Sequence, residues 1–189
     1  STTNKLSTYF QTISTLITHD RIKIGREIKM AMTDQITRIL SGKKKEEITL
    51  PKTTNILYID FESVYSLYQK ELGSNEALSR QSLTAYFNSN QAFYGRTNAT
   101  RFTWSQAEHV AADMEGYLDN EGNNIQTAVN ARMRMVKKTK VTSAYMFDYD
   151  ILKELVDIDF DRMSEEDEET NFINESGEKL PPSNESTPF

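Results

Sequence analysis

The side chains with the plainest chemistry in this sequence are cationic and polar groups in three clusters. Arg80, Gln81 and Thr84 share one side of a short segment. Arg96 and Arg101 bracket the polar stretch Gly95–Arg96–Thr97–Asn98. Arg132, Arg134, Lys137 and Lys138, followed by Lys140, form the densest basic run. Guanidinium and ammonium groups make charge-assisted bonds to phosphate oxygens, while amides and hydroxyls can meet base edges. The chemistry on offer is therefore that of a nucleic-acid contact.

Other chemistry finds less support. The two histidines, His19 and His109, are far apart and there is no cysteine, so no zinc set is expected. Asp148 and Asp150 are a close carboxylate pair, but a strand-to-helix junction explains Asp148 as a cap. Asp157, Asp159, Asp161 and Glu168 match the oxygen spacing of a calcium loop, yet Arg162 stands where that loop needs glycine. Phosphate-loop, nucleophile-elbow and dinucleotide glycine patterns are missing. The expectation is a non-catalytic protein without cofactor, metal or small-molecule substrate.

The elements that would position the cations follow from periodicity. Ser79 can cap a helix over 79–88, with Leu83, Tyr86 and Phe87 on its buried face. Ala92–Tyr94 and Thr100–Trp104 read as strands around a turn at Gly95–Asn98. Upstream, Leu6, Phe10, Ile13, Leu16 and Ile17 predict a first helix. Ile28, Met32, Ile36, Ile39 and Leu40 predict a second over 26–40, stopped at Ser41–Gly42. Pro51 to Thr54 reads as a boundary, and Phe61, Val64, Tyr65, Tyr68 and Leu72 predict a third helix over 58–72. Residues 105–138 read as two helices forming an inserted hairpin. Val141, Ser143, Tyr145 and Phe147 alternate as a strand, and Asp148 caps a last helix over 149–156.

Charge divides the chain. Residues 1–156 carry 20 Lys and Arg against 17 Asp and Glu, whereas 157–189 carry 2 against 11. The net charge of −6 thus belongs to the tail, and the rest is weakly basic. The tail lacks apolar area to offset ordering entropy and is expected to be disordered. No apolar run approaches the roughly 18 residues of a membrane span, and no signal peptide opens the chain, so a cytoplasmic protein is expected.

Together these readings predict an α+β, mainly α protein with a winged-helix-like core. Residues 1–50 would be a helical N-terminal region. Residues 51–160 would be the core domain with its helical insert 105–138, and 161–189 a disordered acidic tail.

The segments Leu57–Tyr58–Ile59, Ser82–Phe87, Ala92–Gly95, Thr100–Phe102 and Thr142–Tyr149 resemble the C-terminal module of phage- and plasmid-type primase-helicases of bacterial mobile elements. That resemblance implies a winged-helix-like segment touching DNA during replication. The insert 105–138 departs from the pattern, and no ATP-binding loop precedes it. The tail ends in Pro188–Phe189 and is similar to the acidic tails of bacterial single-stranded-DNA-binding proteins. This implies docking of Pro188 and Phe189 on replication partners. The competing expectation is a structural or adaptor protein, such as a virion component or a modulator of a host enzyme. It would work through protein contacts at an aromatic surface that includes Tyr94 and Trp104.

Overall fold

Period-two alternation, rather than a helical stripe, organises the middle of the chain. A computed structural model describes residues 2–109 and 133–163. In chain order the elements are α1 (Thr2–Thr18), β1 (Ile28–Ile39), β2 (Lys45–Ile59), α2 (Phe61–Leu72), α3 (Arg80–Asn88), β3 (Phe93–His109), β4 (Met133–Asp148) and α4 (Tyr149–Val156). The strands hold 12, 15, 17 and 16 residues and these helices 17, 12, 9 and 8. The strands close into a barrel in the order β1-β2-β4-β3, with β3 returning to β1 through Arg96 and Ile39. A mainly α winged-helix-like core with an inserted helical hairpin is therefore not the fold: strand outweighs helix, and the sheet is a closed barrel.

Alternation on two strands separates two cores. On β2, Leu57 and Ile59 pack with the helices, whereas Ile56 and Tyr58 pack inside the barrel. On β4, Tyr145 and Phe147 go to the helical side and Met146 goes inward. The helical core gathers Leu6, Tyr9, Phe10, Ile13 and Leu16 of α1 with Val64 and Tyr68 of α2, Leu83 and Phe87 of α3, and Leu152 of α4. Several of its rings meet edge to face, as in Tyr9–Tyr68 at 5.0 Å and Phe87–Phe147 at 5.1 Å, a geometry favoured by the ring quadrupole. The barrel core is smaller: Ile36, Leu50, Ile56 and Met146, with Ile48, Tyr58 and Tyr94 against them.

Where the spacing over 26–40 suggests a second helix, Ile28–Ile39 form a strand. Ile28 packs with the helices and Ile36 packs inside the barrel. The register shift between Thr33 and Gln35 moves even-numbered residues of β1 from one face to the other. Ile28 and Ile36, eight residues apart, thus lie on opposite faces of one strand. Pro51 is not a boundary either. It lies inside β2, between Leu50 and Thr54, where the pairing with β1 is interrupted and a missing N–H costs no ladder bond.

Three further expectations change. The helix predicted from Tyr58 begins at Phe61, because Asp60 caps it: its carboxylate accepts from the Ser63 amide at 3.4 Å and the Ser63 hydroxyl at 2.8 Å. The turn at Gly95–Asn98 is absent, since β3 runs through it, with Gly95 at φ 104° and Ala99 at φ 55° taking up the irregularity. Residues 105–109 and 133–138, assigned to helices from the sequence, are strand. The remainder of that predicted hairpin lies outside the described residues, as does the acidic stretch from Ser164 onward.

The chain divides into two compact units. One takes Ser1–Thr103 and Thr139–Met163; the other takes Trp104–Lys138 and Ser164–Phe189, of which 104–109 and 133–138 are described. No helix among the described residues is long and apolar enough to cross a membrane.

Candidate nucleic-acid interface

Helix α3 is short and well anchored. Ser79 accepts from the Ser82 amide at 3.1 Å, and Leu83 and Phe87 bury its inner face. Its polar face is largely occupied by intramolecular contacts. Arg80 Nε donates to Glu62 Oε2 at 3.0 Å, and the guanidinium sits 4.5 Å from the Tyr65 ring centroid. The Thr84 hydroxyl donates to the Arg80 carbonyl at 2.9 Å. Gln81 is exposed.

The strand cations are less committed. Arg96 and Arg101 of β3 are exposed, and neither makes an ion pair among the described residues. Arg96 lines a hollow of about 120 Å³ together with Asp60, Glu62, Ser143 and Tyr145, so two carboxylates share its surroundings. In the second unit, Arg134 and Lys137 are likewise exposed and outside any ion pair among the described residues. Lys138 is held by Glu108 at 2.7 Å. Along its length β4 carries Arg134, Lys137, Lys138 and Lys140 against one acid, Asp148. Arg132, Pro188 and Phe189 lie outside the described residues.

Sequence reasoning named Lys140 only as part of a basic run and missed the groups that surround it in the first unit. Lys140 Nζ lies 2.7 Å from Asp60 Oδ2, joining β4 to the cap of α2. Lys140 also sits 5.4 Å from the Phe102 ring centroid. Lys29 Nζ sits 5.9 Å from that same ring and 4.9 Å from the Tyr58 ring. Burial lowers the Lys29 pKa and raises that of Tyr58. The Tyr94 hydroxyl is raised by burial and then by the Asp148 carboxylate beside it. Asp60 had a readable signal, an acid three residues before Ser63 ahead of an apolar stripe. Lys29 did not, because its face depends on the β1 register.

Tyr94 is half-buried against the barrel core, and Trp104 is half-buried with its Nε1 donating to Gln106 Oε1 at 3.2 Å. The large hydrophobic residues most exposed are aliphatic, led by Met32 at 63% and Val141 at 53%. Among the described residues no group of acids and histidines could hold a metal ion. No family model, curated protein or solved structure matches this chain.

Proposed function

We propose that this is a non-catalytic DNA-binding protein or module that acts in replication of phage or mobile-element DNA. It contacts the phosphate backbone chiefly through the cations of β3 and β4. The observation that carries this reading is the exposure of Arg96, Arg101, Arg134 and Lys137, none of which makes an ion pair among the described residues. A cation already paired must break that pair to meet a phosphate, whereas these need not. By the same argument Arg80 contributes little, and α3 is a secondary contact at most. The replication context rests on the sequence resemblance alone.

Fluorescence anisotropy with a labelled duplex tests the reading. Arg101→Ala should weaken binding to all duplex sequences alike and make the salt dependence shallower by about one unit of slope. Arg80→Ala should leave affinity within about twofold, since the loss of an exposed pair changes little. Equal losses for both variants would return the main contact to α3.

A second reading, an adaptor working through protein contacts, is favoured by the exposure of Met32 and Val141 on the strands. Self-association seen by light scattering and lost in Met32→Ser would support it.

A further inference from the structure

In the first unit β3 holds two more residues than the stretch of β4 it faces. At one end the Asp148 amide donates to the Ala92 carbonyl at 2.7 Å, and the Phe93 and Phe147 rings meet at 5.0 Å. At the other the Thr103 and Thr139 hydroxyls meet at 3.4 Å. Ten steps of β3 from Phe93 to Thr103 thus span eight steps of β4 from Thr139 to Phe147. Gly95 at φ 104° and Ala99 at φ 55° mark the two bulges. An unbroken strand puts residues five apart on opposite faces. With the Ala99 bulge between them, Arg96 and Arg101 share one face. Thr100 and Phe102 turn inward and are buried, whereas Arg96, Asn98 and Arg101 are exposed on the outer side. From β4 the same side takes Val141, 53% exposed, and Ser143, which lines the hollow beside Arg96. Among the described residues β1 meets β3 only at Ile39 and Arg96, and β2 meets β4 only over Tyr145–Asp148. Past those pairs β3 and β4 run as a two-stranded ribbon with this outer face bare.

We propose that this ribbon face enters the major groove of duplex DNA, with Asn98 and Val141 meeting an adenine–thymine step and Arg96 and Arg101 on the phosphates to either side; the inference rests on the DNA reading. A major groove about 12 Å wide admits a two-stranded β-ribbon. At about 3.3 Å per residue the two arginines stand roughly 15 Å apart along the strand, which brackets such a groove. Asn98 lies between them. A carboxamide both donates and accepts at the adenine edge, and an aliphatic group packs on the thymine methyl. An exposed valine beside guanidinium groups has no use on a surface that meets phosphates alone. The Asn98 side chain makes no hydrogen bond among the described residues, so none is broken on binding. The ribbon face carries no acid from 96 to 103 or from 139 to 145. At its Arg96 end Asp60 and Glu62 line the hollow, and Glu46 lies on the adjoining hairpin, but each is paired: Asp60 with Lys140 at 2.7 Å, Glu62 with Arg80 at 3.0 Å and Glu46 with Arg38 at 3.0 Å.

The test is fluorescence anisotropy of the full chain at one salt concentration, with labelled duplexes of equal length built from alternating A and T or alternating G and C. The wild-type chain should bind the A·T duplex about tenfold more tightly. Replacing adenine by 7-deazaadenine, which lacks the N7 acceptor of the major groove, should remove most of that preference. Replacing thymine by uracil, which lacks the methyl group, should weaken binding about fourfold. Asn98→Ala should bind the A·T duplex more weakly and no longer distinguish adenine from 7-deazaadenine, and Val141→Ala should no longer distinguish thymine from uracil. Arg96→Ala should weaken binding to both duplexes alike. If Asn98→Ala does not fold, the wild-type response to the modified duplexes decides. Equal wild-type binding to the A·T and G·C duplexes, or an A·T preference that survives both base replacements, overturns the groove contact and leaves the phosphate contacts standing. A loss on 7-deazaadenine that is undiminished in Asn98→Ala overturns the role of Asn98. Failure of the wild-type chain to bind either duplex overturns the DNA reading and this inference with it.

Discussion

Tyr9 is fully buried against Phe10, Tyr68 and Phe87, and its hydroxyl finds no hydrogen-bond partner among the described residues. Burial raises its pKa far above the ordinary tyrosine value. A buried polar atom without a partner costs stability, so Tyr9→Phe should leave the protein unchanged or up to about 1 kcal/mol more stable in urea unfolding. Tyr149 is a different case. Burial pushes its pKa up to about 12, against the opposing pull of amide bonds from Asp161 at 3.3 Å and Phe160 at 2.7 Å. Because the folded pKa lies above the unfolded one, the unfolded chain releases this proton first. The stabilisation is complete below about pH 10 and is lost as pH rises toward 12. Tm should therefore fall over that window, and Tyr149→Phe should make the fall less steep.

Elements formed from one unbroken periodic stretch were legible, and those depending on a distant register were not. Asp148 accepts from the Ile151 amide at 3.2 Å and starts α4 where the sequence places it; Ser79 does the same for α3. Both are local signals. The fate of β1 is non-local. Its apolar residues at Ile28, Met32 and Ile36 imitate a helical stripe, and only pairing with β2 reveals the shift that sends Ile28 and Ile36 to different cores. The same blindness hid Lys29 and made a turn of Gly95–Asn98, where Gly95 and Ala99 at positive φ mark irregularities inside one strand. Ala99 occupies the left-handed region at φ 55°, so Ala99→Gly should raise stability by up to about 1 kcal/mol in chemical unfolding. Asp60 links elements, capping α2 and pairing with Lys140 of β4. Asp60→Ala should cost about 2–3 kcal/mol, and Asp60→Ser should recover the share owed to the cap.

Across the whole molecule, function turns on where charge is left uncommitted. The acids outnumber the bases in the chain, but their excess comes from the residues after Val156, and β4 is nearly free of them. The sequence showed this segregation and the identity of the strand cations. It could not show which were already spent, because Arg80 meets Glu62 across 18 residues and Lys140 meets Asp60 across 80. The proposed contact is between the uncommitted cations and phosphates. Its most direct test is the affinity of the wild-type chain for a labelled duplex between about 50 and 200 mM salt. Four phosphate contacts predict that log affinity falls with log salt at a slope of about −3 to −4. A slope near zero, or no binding at the lowest salt, would contradict it.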